Sequence, residues 1–151
     1  MRVARPQALD RVAALWTLLA AHHGSAPGLA PAAGTAFAVR DHLAEQLRDA
    51  DAVLLVAEQD GQLVGFGSAR VLRRPPIFAE TARGEIEALF VREGHRRGGI
   101  GRALAERLFA WLAERGLGRV ALQVASDNRE GQRFWRALGF TDSMDVLERP
   151  L

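Results

Sequence analysis

The sequence contains no cysteine, no lysine and no tyrosine. Without cysteine, the chain has no disulfide framework, no thiolate nucleophile and no cysteine-ligated metal. Without lysine, it cannot form a Walker-type phosphate loop, which needs that residue after its last glycine. Without tyrosine, it lacks a phenolic proton donor. These three absences exclude several classes of enzyme before any motif is considered.

Long apolar runs are also missing. The first residues contain no apolar signal core, and no stretch approaches the length of a membrane span. We therefore expect a cytoplasmic, soluble protein with no membrane partner. At 151 residues and 16.4 kDa, the chain is most simply one domain, residues 1–151, with a sizeable core.

Charge is unusual in kind rather than in amount. All 20 basic residues are arginine, and the pI of about 10.7 accompanies a net charge of only +2. The high pI therefore reflects the missing lysine, and the arginines are spread among glutamates instead of forming one basic patch. We predict no nucleic-acid partner.

A glycine-rich turn lies between a predicted strand and a predicted helix. Residues 85–91 form an apolar run typical of a buried strand, and apolar residues recur at helical spacing over 100–112. The turn between them contains Arg96 and Arg97, followed by glycines within 98–101. Glycine lets the backbone approach a ligand, and the amides at a helix start carry the positive end of the dipole. The turn predicts a phosphate site.

Three kinds of phosphate loop are candidates for this turn. The missing lysine excludes a Walker-type loop, and a dinucleotide-binding turn fails because the sixth position counted from Gly99 is Leu104. The third matches residue for residue: Arg96-Arg97-Gly98-Gly99-Ile100-Gly101 resembles the pattern Gln/Arg-x-x-Gly-x-Gly/Ala of the GNAT-type N-acetyltransferases. An ordinary strand-to-helix turn is the alternative interpretation.

A second block strengthens the resemblance. After a short apolar strand over 119–124, the chain is similar to the family pattern Asn-x-x-Ala-x-x-Phe-Tyr-x-x-x-Gly-Phe. Asn128, Phe134, Gly139 and Phe140 fall in register. The same residues also predict a plain helix, with Asn128 as N-cap and Gly139 just after the end.

Two residues of this block depart from the family pattern. Gly131 replaces the usual alanine, and Trp135 replaces the usual tyrosine. The tyrosine protonates the departing thiolate in many relatives, whereas an indole N–H cannot supply a proton at neutral pH. The resemblance therefore leaves the general acid in doubt, and a water or Ser126 could serve.

The remaining elements predict an α+β fold. The resemblance implies the same layout, a mixed and mostly antiparallel sheet of six to seven strands with about four helices on both faces. Asp60-Gly61 marks a hairpin. The predicted strands are 1–5, 52–57, 63–72, 85–91, 119–124 and 141–147; the predicted helices are 10–23, 39–50, 100–115 and the one after Asn128; the loops are 24–34 and 73–83.

The resemblance further implies that acetyl-coenzyme A wedges between splayed strands. Backbone groups of 89–91 would align the acetyl arm, the arginines and turn amides would hold the pyrophosphate, and the second block would contact the pantetheine. The implied cofactor-binding residues are Leu89, Phe90, Val91, Arg96, Arg97, Gly98, Gly99, Ile100, Gly101, Arg102, Asn128, Phe134 and Trp135.

Two acidic residues interrupt the strand that leads into the turn. Alternation places Glu85 and Glu87 on one face, directed either at solvent or at the site. The resemblance favours Glu87 as general base, acting through a water, with Glu85 as substitute or amine anchor. The row Asp41, Glu45 and Asp49 is interpreted as a solvated helix face rather than an acidic wall for an amine.

The resemblance therefore implies an N-acetyltransferase that acts on a small primary amine. The alternatives are a protein or peptide acetyltransferase and a module that binds acyl-coenzyme A without turnover, which the missing tyrosine keeps open. Loops 24–34 and 73–83 are expected to shape the substrate pocket, and relatives of this kind are often homodimers. The adjacent His22 and His23 point in different directions on a helix, so no metal site is predicted.

Overall fold

A hairpin of two long strands forms the centre of the sheet. The structure, a computed structural model, describes residues 1–22 and 35–151. Asp60 and Gly61 both have positive φ, 51° and 75°, which matches the twist of the flanking strands and closes the Gln59↔Gln62 pair. The predicted hairpin is confirmed.

Helices and further strands surround this hairpin. Two 3₁₀ turns lie at Pro6–Ala8 and Glu93–His95. In chain order the elements are β1 (Arg2–Val3), α1 (Leu9–His22), α2 (Thr35–Arg48), β2 (Ala52–Gln59), β3 (Gln62–Arg73), β4 (Ala82–Val91), α3 (Ile100–Ala113), β5 (Val120–Ala121) and α4 (Arg129–Ala137).

The sheet is antiparallel except at one edge. Its order is β1-β2-β3-β4-β5, and β5 alone runs parallel to its neighbour. The parallel pair consists of Gly84↔Val120 and Glu85↔Ala121. Within the described part of the chain, β4 therefore has no strand on that side from Ile86 onward. The two strands part there and leave a cleft.

Helices cover both faces of the sheet. On one face α1 and α2 pack against the sheet around Leu15, Leu43 and Phe66. On the other face α3 packs through Leu104 and Leu108. Both faces of β2 and β3 are therefore buried, which explains why these strands are apolar almost throughout. The predicted α+β fold with helices on both faces is confirmed.

The number of strands is lower than predicted. Residues 1–22 and 35–151 contain five strands rather than six to seven, because 141–147 forms no strand. The strand predicted over 119–124 is present but only two residues long. Every residue of 141–151 is exposed. Asp142 is bound instead by Arg136 on the exposed side of α4, at 2.9 Å.

The loop between β3 and β4 is tied to the start of β5. Arg119 Nη2 lies 2.6 Å from Glu80 Oε2, and hydrogen bonds from Arg119 lower the pKa of the Glu80 carboxyl. The pair therefore stays ionised at neutral pH. The other predicted pocket loop, 24–34, lies outside the described residues, as do the side chains of His22 and His23.

The helix surfaces follow the sequence pattern. Asp41, Glu45 and Asp49 are all exposed, as expected of a solvated face. The opposite side of α2 buries Val39 and Leu43. Over the ranges 1–22 and 35–151, the structure has no helix with the length and apolar character needed to cross a bilayer.

Substituting Leu108 tests the contribution of α3 to the core. Leu108 is fully buried, so Leu108→Ala should lower the free energy of unfolding by about 2–5 kcal/mol through lost transfer energy and a cavity. Leu18 on α1 is 45% exposed, and Leu18→Ala should cost less than about 1 kcal/mol. Urea unfolding of both variants measures the difference; equal losses would contradict the packing described here.

Candidate functional site

A cavity of about 890 Å³ opens where β4 and β5 part. One wall is the exposed edge of β4, the second is the glycine turn with the start of α3, and the third is the first half of α4 with the residues after β5. The predicted site residues that line it are Glu87, Leu89, Phe90, Val91, Arg96, Arg97, Gly99, Gly101, Arg102, Asn128, Phe134 and Trp135.

The glycine turn presents backbone amides to this cavity. Arg97 and Gly99 both adopt left-handed backbone conformations, with φ of 62° and 82°. Gly99 is the N-cap of α3, and no described side chain accepts a hydrogen bond there. The first backbone N–H groups of α3 therefore have no side-chain acceptor among the described residues and can donate hydrogen bonds to a ligand. The turn has the geometry of an anion site at a helix start.

The two arginines of the turn have different surroundings. Arg96 Nε donates to the Val91 carbonyl at 2.9 Å, its guanidinium lies 5.6 Å from the centre of the Phe90 ring, and Nη1 is 3.7 Å from Glu130 Oε2. The Arg96 side chain is only 22% exposed. It therefore connects β4 to α4, whereas the neighbouring Arg97 is exposed at the cavity rim.

Asn128 holds the start of α4 on the far side of the cavity. Its Oδ1 accepts a hydrogen bond from the Gly131 N–H at 2.9 Å, as predicted for an N-cap. A Cβ on residue 131 would lie 2.6 Å from Asn128 Nδ2. With the Asn128 side chain in this conformation, the alanine of the family pattern would fit at position 131 only if the Asn128 amide shifted.

Aromatic rings join α4 to α3. The Phe134 ring lies so near Gly101 that a Cβ there would be 3.4 Å from it. Trp135 packs edge-on between Phe134 and Phe140, with ring centres 4.9 and 5.3 Å away. The indole is therefore a packed wall of the cavity, which suits its predicted place near the ligand.

Glu87 sits at a β-bulge in β4. The pairing runs Ser68↔Ala88 and then Ala69↔Ile86, so Glu87 is the extra residue. Its carboxylate accepts a hydrogen bond from Gln46 of α2 and lies 3.3 Å from Arg70 Nη1. The side chain is 20% exposed, although the residue as a whole is exposed, so most of its accessible surface is backbone at the open edge.

Four predicted site residues do not line the cavity. Glu85 lies where β4 is still paired with β5, and its carboxylate is 3.7 Å from Arg83 Nη2. Ser126 is exposed, and its carbonyl accepts a hydrogen bond from Gln132 at 2.9 Å. Gly98 and Ile100 belong to the turn but are also absent from the lining. The structure brings Glu87, but not Glu85 or Ser126, to the cavity.

Several lining residues escaped the sequence interpretation. Leu19 reaches the cavity from α1, although its helical spacing indicates only a core position. The residues Leu122, Gln123 and Val124 line it because β5 ends early; the sequence assigned them to a paired strand. Residues of α4 and the turn before it also line the cavity, namely Asp127, Arg129, Glu130, Gly131 and Arg133.

Comparison with known sequences identifies relatives of this chain. Residues 16–140 match the family described as the Acetyltransferase (GNAT) family. The chain is 35% identical to a mycothiol acetyltransferase of Streptomyces avermitilis over 95 residues, and this aligned region covers 62% of this chain and 29% of that protein. A mycothiol acetyltransferase of Amycolatopsis mediterranei is 34% identical over 110 residues, 70% of this chain and 36% of that one. The chain thus spans about a third of the length of these curated relatives.

Solved structures share the fold at low sequence identity. A mutant protein of Bacillus halodurans superposes with a TM-score of 0.87 at 22% identity, over 99% of this chain and 98% of that one. A predicted acetyltransferase of Clostridium acetobutylicum, solved with acetyl-CoA, gives 0.83 at 18% identity over 99% and 94%. An aminoglycoside 6'-N-acetyltransferase of Acinetobacter haemolyticus gives 0.80 at 20% identity over 99% and 96%.

The contact between Asn128 and residue 131 can be tested by a double-mutant cycle. Gly131→Ala gains about 1 kcal/mol of helix propensity but displaces the capping amide, which costs about as much, so its net effect should be near zero. In an Asn128→Ala background the same substitution should stabilise by about 1 kcal/mol, because no cap is left to displace. Urea unfolding of the four proteins gives the coupling energy; an equal gain in both backgrounds would refute the capping contact.

Proposed function

Because the chain belongs to the acetyltransferase (GNAT) family, we propose that it transfers an acetyl group from acetyl-CoA to the primary amine of a small molecule. One observation carries the proposal. A single cavity joins an amide-lined turn suited to a diphosphate and a partly covered carboxylate suited to an amine, along the open edge of β4. Residues 87–91 of β4 line the cavity from the Glu87 carboxylate to the glycine turn.

The cavity offers the contacts that acetyl-CoA needs. The amides at the start of α3 and the exposed Arg97 suit the pyrophosphate. The edge of β4 that borders the cavity over 89–91 would provide strand-like hydrogen bonds for the pantetheine arm, and an N–H there would stabilise negative charge on the thioester oxygen. Phe134 and Trp135 supply an apolar wall. The residues present therefore fit the cosubstrate.

Glu87 is proposed as the group that removes the amine proton. A primary ammonium with a pKa near 10 must lose a proton before it can attack. Gln46 Oε1 and Arg70 Nε, next to the Glu87 carboxylate, are buried without a hydrogen-bond partner among the described residues. A water there would satisfy them and relay the proton, which supports a base that acts through water.

The departing thiolate requires little assistance. A thiol with a pKa of about 8.5 leaves as thiolate at pH 7 at a cost of roughly 2 kcal/mol. Trp135 cannot supply a proton, and the Ser126 hydroxyl belongs to an exposed residue outside the cavity lining. A water is therefore the proposed source of the final proton.

The substrate class rests on the relatives and on the cavity. Proteins with similar sequence or fold are named for mycothiol and for aminoglycosides, and both names indicate small molecules. The cavity is a cleft lined by residues of α1, β4 and α4, which suits a small acceptor better than a flat protein surface. A protein or peptide acceptor remains the alternative enzyme, and an acyl-CoA-binding module without turnover is the alternative class.

Thiol release separates an enzyme from a binding module. The purified protein should release coenzyme A thiol from acetyl-CoA when amines are supplied, and release should depend on the amine. Calorimetry with acetyl-CoA alone measures binding in the same preparation. Binding with no release across panels of small amines and peptides would favour the module; release only with peptides would favour the protein acetyltransferase.

Glu87→Gln should lower kcat by about 100-fold or more, because general-base catalysis contributes 10²–10⁴-fold. The affinity for acetyl-CoA, measured by calorimetry, should not change. The deficit should shrink as the pH approaches the pKa of the amine, near 10, where the free amine forms without a base. Glu85→Gln serves as comparison, since Glu85 lies outside the cavity; if Glu85→Gln has the larger effect, the base has been assigned to the wrong residue.

Gly99→Val should abolish acetyl-CoA binding. Gly99 has a φ of 82° at the start of α3, a conformation that valine rarely adopts, so the substitution displaces the amides that face the diphosphate. Gly94 in the same connection is a matched control, because no atom lies within 4 Å of a Cβ there and its φ is not left-handed. Calorimetry should detect normal affinity for Gly94→Val; retained affinity in Gly99→Val would refute the proposed diphosphate site.

A further inference from the structure

One core-facing position of α2 carries a polar side chain. Val39, Leu43 and Gln46 follow the helical spacing of a single face, and all three are buried. Gln46 is 7% exposed and is one of two buried polar or charged residues in the described part of the chain. A leucine at this position would be buried without an unsatisfied polar atom, so packing alone does not explain the amide.

The amide of Gln46 makes one hydrogen bond and lacks another. Its Nε2 donates to Glu87 Oε2 on β4, whereas its Oε1 is buried with no hydrogen-bond partner among the described residues. A buried amide that is only half satisfied lowers the stability of a core. What this side chain contributes is therefore the bond to Glu87 rather than the packing of α2.

Glu87 needs such a bond because of its place in β4. It is the extra residue of the bulge, so no residue of β3 is paired with it. Two side chains hold its carboxylate instead. Gln46 donates to Oε2, and Arg70 Nη1 lies 3.3 Å from Oε1. Because the donors come from α2 and β3, they fix the carboxylate relative to both the helix layer and the sheet.

The two donors differ in charge and in exposure. The Arg70 side chain is 44% exposed, so water and salt weaken its interaction with the carboxylate. Gln46 is buried and neutral. A neutral donor orients a carboxylate without the positive charge that would make it a weaker base. Of the two donors, Gln46 is therefore better suited to keep Glu87 oriented and basic.

We propose that Gln46 is a positioning residue for acetyl transfer, which holds the Glu87 carboxylate in the orientation that removes the amine proton. This inference rests on the proposed role of Glu87 as general base. Gln46 is not among the residues that line the cavity, so it acts through Glu87 and contacts neither substrate. A misplaced base slows the chemical step and leaves the binding of both substrates unchanged.

Gln46→Met tests this role, because methionine keeps the length and flexibility of glutamine but cannot donate a hydrogen bond to Glu87. At pH 7 kcat should fall by about tenfold or more, while KM for the amine and the affinity for acetyl-CoA stay unchanged. Steady-state thiol release and calorimetry measure these quantities. The deficit should shrink as the pH approaches about 10, where the free amine needs no base. An unchanged kcat at pH 7 would overturn the proposal.

Leu43→Met is the matched control. It places the same side chain one turn earlier on the same buried face of α2, and Leu43 has no part in the hydrogen bonds of Glu87. Its kcat should equal that of the wild type. Gln46→Leu, which puts an ordinary core residue at this position, should keep the wild-type circular dichroism spectrum and lose activity as Gln46→Met does. If Leu43→Met loses as much activity, the packing of α2 controls the rate and the proposal is wrong.

A double variant separates action through Glu87 from any other effect. In a Glu87→Gln background, Gln46→Met should cause no further loss of kcat, because no carboxylate is left to position. An equal loss in both backgrounds would show that Gln46 acts elsewhere.

The same assay distinguishes this inference from the proposed function. An inactive wild type, or a fully active Glu87→Gln, overturns both. A fully active Gln46→Met beside an impaired Glu87→Gln overturns the positioning role alone.

Discussion

The parting of β4 and β5 is the constraint on which the rest of the site depends. Two residue pairs hold the strands together, and beyond Glu85 the edge of β4 is open. This edge is one wall of the cavity, and the glycine turn and α4 form the two other walls. If β5 continued to pair in the same register through residue 124, as its apolar sequence suggests, it would border β4 as far as Ala88 and cover that part of the cavity.

The bulge at Glu87 gives a physical reason for the parting. An extra residue increases the local twist of a strand and bends it, and this one lies two residues after the last pair with β5. The bulge also places two successive side chains on the sheet face that α1 and α2 cover. Ala88 packs against the core cluster there, and the Glu87 carboxylate accepts a hydrogen bond from Gln46 of α2. The same irregularity thus opens the cavity and directs a carboxylate toward it.

Sequence predicted the parts of this arrangement that depend on local pattern. The hairpin at Asp60-Gly61, the helix after the turn and the N-cap at Asn128 each follow from residues close in the chain. The length of β5 and the state of 141–147 could not be predicted, because pairing depends on a neighbouring strand and apolar alternation does not reveal whether one is present. Alternation placed Glu85 and Glu87 on one face, but only the register of β4 against β5 separates them into one residue at the cavity and one outside it.

The glycine turn shows that the conformation of a short motif depends on contacts that its sequence pattern does not disclose. Its first arginine, Arg96, contacts the Val91 carbonyl, the Phe90 ring and Glu130. These contacts attach the turn to β4 on one side and to α4 on the other. Charge at the rim then comes from Arg97, a position the pattern leaves free. The positions of the backbone amides in the turn depend on the left-handed residues 97 and 99. A lysine at position 96 would keep the charge but lose the guanidinium that bonds the Val91 carbonyl and lies 5.6 Å from the centre of the Phe90 ring, so the geometry of the side chain at this position matters as well as its charge.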